Sequence, residues 1–175
     1  LTPDTYECVV LVAEDHPINQ KLLKTFLTNF GCTVYSANNG REAVNQISEH
    51  PEIELVFMDI QMPGINGIDA MKEIRKYNTT TQFIVMTAYD KFVYAQEAIH
   101  LGVLEYLTKP VNHNKFVEVL QRAMDNIEEQ RNKRSDELMI REKLEIVTPI
   151  IEHNLIYAAL SGEDIGLLGN NLIKA

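Results

Sequence analysis

A handful of side chains in this sequence could do chemistry together. Asp59 closes the apolar run Leu55-Val56-Phe57-Met58 and is followed at once by Ile60-Gln61-Met62-Pro63-Gly64. Glu14 and Asp15 end a second apolar run, Thr87 a third, and Lys109-Pro110 a fourth. Three acids, a hydroxyl and a flexible ammonium suit a cation together with a phosphoryl group, because phosphoryl transfer depends on positioning and charge neutralisation above all. Oxygen donors with no His or Cys at ligand spacing favour magnesium over zinc. His16 adjoins the acids but precedes Pro17, and reads as a turn residue rather than a ligand.

Such groups meet only if the chain brings distant segments to one edge. Cys8 to Ala13 reads as a short buried strand. Ile18, Leu22, Leu23, Phe26, Leu27 and Phe30 then recur at helical spacing, and Gly31 stands where a left-handed cap would stop the helix. Thr33 to Ala37 is a second strand, Asn38-Asn39-Gly40 a turn, and Ala43, Val44 and Ile47 the apolar face of a second helix closed by Pro51. Leu55 to Asp59 is a third strand, and Met62-Pro63-Gly64 turns the chain with Pro and Gly where each is favoured. Asn66 is placed to cap a third helix, Ile68 to Lys76. Phe83 to Thr87 is a fourth strand, Tyr94 to Leu101 a fourth helix ended by Gly102, and Val103 to Leu107 a fifth strand. Phe116, Val117, Leu120, Ala123, Met124 and Ile127 open a fifth helix.

Strands alternating with helices demand a parallel sheet with right-handed crossovers and helices on both faces. The expected fold is α/β: a flavodoxin-like, doubly wound five-stranded parallel sheet in the order 2-1-3-4-5, with a helical C-terminal extension. That order makes strands one and three neighbours and puts Asp15 beside Asp59 at their carboxyl ends. Two carboxylates about 4 Å apart repel by roughly 4 kcal/mol at an effective dielectric of 20, so a cation is needed there.

Glu14-Asp15, Met58-Asp59-Ile60-Gln61-Met62-Pro63-Gly64, Thr87-Ala88 and Lys109-Pro110, in this order and at the ends of these strands, resemble the receiver domain of two-component response regulators. The resemblance covers residues 6–127. It implies that Asp59 accepts a phosphoryl group from the phosphohistidine of a histidine kinase or a phosphotransfer protein. It implies that Asp15, Asp59 and the backbone carbonyl of Gln61 hold Mg2+, with Glu14 acting through water. Thr87 and Lys109 would receive phosphoryl oxygens, and the Lys109-Pro110 bond would be cis. Tyr106 would be the switch residue, its ring turning inward as Thr87 moves. Gln61 and Tyr89 would tune hydrolysis of the acyl phosphate. Such a domain phosphorylates and dephosphorylates itself, and is not a conventional enzyme. Thr87 to Ala98 is similar to receivers that precede AraC-type DNA-binding effectors, whereas Val12 to Gln20 looks more like receivers of hybrid sensor kinases or phosphorelays. The two hints point in different directions. A phosphate-ester hydrolase with Asp59 as nucleophile is the rival reading, but no second carboxylate follows Asp59 closely as an acid.

The chain has 175 residues and a formal net charge of −9, with a pI near 5.0. That balance argues against binding nucleic acid or anionic membranes by clustered basic residues. No apolar run is long enough to span a membrane and no leader is evident, so the expected location is cytoplasmic. Cys8 and Cys32 are expected in buried strands as reduced core residues. Past Ile127, residues 128–147 read as a helical linker, solvated at first. Ile140, Leu144, Val147 and Ile151 then form a seam able to make a coiled coil and a homodimer. Thr148-Pro149 reads as an N-cap and first helical residue, so 148–175 is expected to begin a further helical region, broken at Ser161-Gly162. With no output motif in this stretch, the chain is expected to be the N-terminal piece of a longer transcriptional regulator.

Overall fold

The computed structural model describes residues 6–88 and 91–162. The strands β1 (Val9–Ala13), β2 (Thr33–Ala37), β3 (Leu55–Asp59), β4 (Gln82–Thr87) and β5 (Glu105–Thr108) alternate with the helices α1 (Pro17–Asn29), α2 (Gly40–Glu49), α3 (Gly67–Arg75), α4 (Phe92–His100) and α5 (His113–Ser161). The strands pair in parallel in the order β2-β1-β3-β4-β5, as expected. β3 and β4 are buried throughout, because a central strand with helices on both faces has no solvated side. The edge strands β2 and β5 are only partly buried.

Side chains alternate along each strand between two cores. Val56, Met58, Phe83 and Val85 pack against Ala43 and Ile47 of α2 and Ile68, Met71 and Ile74 of α3. Leu55, Phe57, Ile84 and Met86 pack against Leu27 of α1 and Phe116, Val119, Leu120 and Ala123 of α5. On α5 it is Val119 that is buried, while Val117 is only half-buried. On α1, Ile18 and Leu22 are exposed, although they share helical spacing with Leu27.

Several helix ends are set by short-range chemistry. Asn39 is more than a turn residue: its side chain accepts from the Glu42 amide at 2.8 Å, and the Glu42 carboxylate accepts from the Asn38 amide at 2.8 Å. This is a variant of the capping box. Asn66 accepts from the Asp69 amide at 2.9 Å and caps α3 as expected. Gly31 and Gly102, at φ 89° and 69°, end α1 and α4. β5 begins at Glu105 rather than Val103 because the Val103 amide is still bonded to Ala98 in the closing turn of α4. Cys8 and Cys32 are buried thiols, each one residue before its strand rather than in it.

The chain divides after Ile127 into the units Leu1–Ile127 and Glu128–Ala175. In the second unit the expected break at Thr148-Pro149 is absent, and α5 runs through Pro149 to Ser161. The Thr148 hydroxyl donates back to the Leu144 carbonyl at 2.7 Å, a mid-helix geometry instead of a cap. Proline inside a helix costs about 3 kcal/mol, so other interactions must sustain this one. Gly162, at φ 73°, follows its end. Residues 163–175, including the apolar terminal stretch, lie outside the described residues. Among the described residues no helix is long and apolar enough to cross a membrane.

Candidate phosphoacceptor site

The carboxyl edge of the sheet gathers the residues singled out in the sequence. Asp59 is the last residue of β3, Glu14 follows β1, Thr87 ends β4 and Lys109 follows β5. The register sets Thr87 beside Thr108, and the Lys109 amide donates to the Thr87 carbonyl at 2.7 Å. Parallel pairing therefore converts four remote positions into one edge.

Asp59 is buried, with 6% of its surface exposed. One carboxylate oxygen, Oδ1, accepts from the Gln61 backbone amide at 3.0 Å, which fixes the rotamer. The other, Oδ2, accepts from Lys109 Nζ at 2.7 Å, and the same ammonium donates to Glu14 Oε2 at 2.7 Å. Burial pushes the Asp59 carboxyl above its ordinary range, outweighing the Lys109 and Gln61 donors that pull it down. For Lys109 burial acts downward, but its bonds to Asp59 and Glu14 prevail and the ammonium is held above its ordinary value. The lysine is thus charged and holds two acids together.

Asp15 is exposed, yet it contributes to one cluster: single carboxylate oxygens of Glu14, Asp15 and Asp59 lie within 4.8 Å of one another. An all-oxygen donor set of this kind fits a small hard cation better than zinc, which prefers nitrogen and sulfur ligands. Glu14 is buried and held in place by the His16 backbone amide, which donates to its Oε1 at 3.2 Å. Thr87 is fully buried, and Tyr106 lies half-buried against the core on the α2 and α3 side of the sheet, in register with Val85. Gln61 is exposed, and Tyr89 lies outside the described residues. The Lys109-Pro110 bond is cis.

Two supporting residues carry no signal of their own in the sequence. Gln20 Nε2 donates to the carbonyls of Glu14 at 2.9 Å and Ala37 at 3.1 Å, tying the ends of β1 and β2. Gly67 opens α3 directly over Asp59: a Cβ there would stand 2.2 Å from the Asp59 carbonyl oxygen. Its amide donates to the Ile60 carbonyl at 2.9 Å. Only glycine lets the helix approach so closely. Beside the acids a cleft of about 700 Å³ runs between α1 and the loop after β5, walled by Leu22, Phe26, Pro110 and Phe116 with Glu14 and Lys109 at one end.

The sequence matches the response regulator receiver domain over residues 10–121. The chain belongs to that family. This receiver is 39% identical over 116 residues to the chemotaxis protein CheY of Thermotoga maritima, a match covering 65% of this chain and 95% of that protein. It is 36% identical over 116 residues to the regulatory protein AtoC of Escherichia coli, covering 66% of this chain but only 25% of AtoC. The receiver therefore spans about a quarter of that larger relative. Its fold is that of a CheY-like receiver from Methanospirillum hungatei, with a TM-score of 0.67 at 22% identity, covering 71% of this chain and 98% of the other.

Proposed function

We propose that this receiver is switched by a phosphoryl group taken onto Asp59 from the phosphohistidine of a histidine kinase or phosphotransfer protein. The observation that carries the reading is the pairing of buried Asp59 with Lys109 at 2.7 Å inside a cluster of three carboxylates. An Asp59 carboxylate oxygen attacks phosphorus, the P–N bond breaks, and its electron pair stays on the imidazole nitrogen. The Gln61 amide holds Oδ1 and so aims the carboxylate, while the Lys109 ammonium meets the added oxygens and offsets their charge. Thr87 donates its hydroxyl to another phosphoryl oxygen. Asp15, Asp59 and the Gln61 carbonyl would hold Mg2+, with Glu14 through water; the ion supplies charge neutralisation.

Phosphorylation adds charge and acceptors at one point, and a bistable element must carry the effect outward. Thr87 and Tyr106 are that element: the hydroxyl moves towards the phosphoryl group and the half-buried ring follows it inward. The face of α4, β5 and α5 and the helix beyond Ile127 then control an output outside this chain, in a cytoplasmic transcriptional regulator. The receiver catalyses only its own phosphorylation and dephosphorylation, and acts as a homodimer.

The test is labelling of the full chain by a small acyl phosphate with magnesium. Labelling lost with a chelator and in Asp59→Asn is the expected result; equal labelling of Asp59→Asn would sink the assignment.

A further inference from the structure

From Ile140 onward the helix of the second unit carries Ile140, Leu144, Val147, Ile151 and Asn154 in alternating steps of four and three residues. The spacing is that of a heptad seam. Ile140 and Leu144 are 58% and 59% exposed, and Val147 and Ile151 are 40% and 36% exposed. Ala158, next in the spacing, is already buried, so the open seam ends at Asn154. A helix with an internal proline and an open apolar seam gains too little from its own hydrogen bonds to persist alone in water. Something covers the seam, and the flanking residues say what.

Glu129, Asp136, Lys143 and Ile150 line one flank of the seam, and Arg134, Arg141, Thr148 and Leu155 the other. In a parallel, in-register pair each residue of the first flank faces the residue five positions further on in the second flank of the other copy. Glu129 then meets Arg134, Asp136 meets Arg141, Lys143 meets Thr148, and Ile150 meets Leu155. Two of these flank pairs are of opposite charge, one is apolar, and none is like-charged. N-terminal to Ile140 the seam positions are Gln130, Lys133 and Glu137, each of which would meet its own copy, so the Glu129–Arg134 pair lies beyond the apolar core and the Asp136–Arg141 pair marks its start. Glu129 also pairs with Lys133 of its own helix at 2.7 Å, so this contact is shared. An antiparallel pair sets each flank against itself: Arg141 meets Thr148, Lys143 meets Ile150, and both opposite-charge pairs vanish. Asn154 faces its own counterpart only in the parallel arrangement, where a polar residue in the seam fixes register.

We propose that residues 136–155 bind a second copy of this chain as a parallel, in-register coiled coil, with Ile140, Leu144, Val147 and Ile151 as its core. This deepens the homodimer reading given above by assigning contact and direction to the C-terminal helix. It does not depend on phosphorylation.

The experiment uses the full chain. Sedimentation equilibrium is expected to give the mass of two chains, falling to one in Leu144→Asp/Ile151→Asp. Phosphoryl labelling of that variant stays at the parental level, which separates failure of the seam from failure of the phosphoacceptor assignment. Ile140→Cys is expected to cross-link between chains on mild oxidation, because Cys8 and Cys32 are buried and position 140 meets itself only when the helices run parallel. Glu145→Cys, on the far side of the helix, is the control that does not. Reversing Arg141 to Glu is expected to weaken association about threefold at low salt, and further reversal of Asp136 to Arg to restore it. A single-chain mass for the parent, a dimer that survives Leu144→Asp/Ile151→Asp, or an Ile140→Cys chain that does not cross-link would each overturn the proposal.

Discussion

The Nζ of Lys109 lies 2.7 Å from Oδ2 of Asp59, so the end of β5 is closed onto the end of β3 by a charge-assisted hydrogen bond. The same nitrogen holds Glu14 at 2.7 Å. Replacing it by Lys109→Met leaves two buried acids facing one another without a cation. A loss of about 1–3 kcal/mol is expected in the presence of a chelator. Thermal melting with and without magnesium measures it, and magnesium is expected to recover a large part of the loss, since a ligand of the folded state alone stabilises it.

Asp59 itself is a cost to the fold once it ionises. Its folded carboxyl is raised above the ordinary value by burial, so the folded state holds this proton more tightly than the unfolded chain does. Stability from this group is therefore lost as pH climbs from the ordinary carboxylate range through the raised folded value. Asp59→Asn removes the charge, and without metal it is expected to melt higher than the parent at neutral pH. The advantage should shrink towards zero as pH is lowered below the carboxylate range. Melting curves across that interval test the sign.

Gly67 makes the position of Asp59 depend on α3. The added methyl of Gly67→Ala would stand 2.2 Å from the Asp59 carbonyl oxygen and 2.9 Å from Met58 Cγ, so β3 and α3 must separate. Overpacking of this kind costs about 1–3 kcal/mol. Denaturant unfolding is expected to show that loss together with slower phosphoryl labelling. Gly64→Ala, at φ 80° but with open space around it, should destabilise the turn while leaving less trace on labelling.

Arg75 plays a comparable part at the opposite edge. Its guanidinium donates to the carbonyls of Leu101 at 3.0 Å, Asn78 at 3.3 Å and Thr81 at 2.7 Å, and it lies 4.5 Å above the Phe83 ring centroid. Burial pulls its pKa down, yet the side chain is kept for the three carbonyls it satisfies. Arg75→Met is expected to cost about 2 kcal/mol and to speed amide exchange at the end of α4 ahead of the rest of the sheet.

The strand ends were legible because a buried parallel strand has to be an unbroken apolar run, so Asp59 and Thr87 stood out as its terminators. Their convergence followed from sheet order. Contacts that depend on tertiary approach were not legible in the same way. Gly67 looks like any turn glycine until α3 is seen against Asp59, and Gln20 looks like a surface residue until β1 and β2 lie side by side. Helical periodicity put Ile18 and Leu22 on the same stripe as Leu27, yet they are exposed, because periodicity gives a stripe and not the width of stripe the sheet covers. Thr148-Pro149 misled for a related reason: the same pair suits a helix start and the interior of a long helix, and local chemistry does not choose between them.

The central claim is that one side chain, Asp59, carries the phosphoryl group. Reduction of the acyl phosphate with borohydride converts the modified aspartate into homoserine, which peptide mass mapping can place within the sequence. After treatment with an acyl phosphate and magnesium, homoserine is predicted at position 59 and nowhere else. Homoserine at Asp15, or a phosphorylated chain that yields none, would contradict the account.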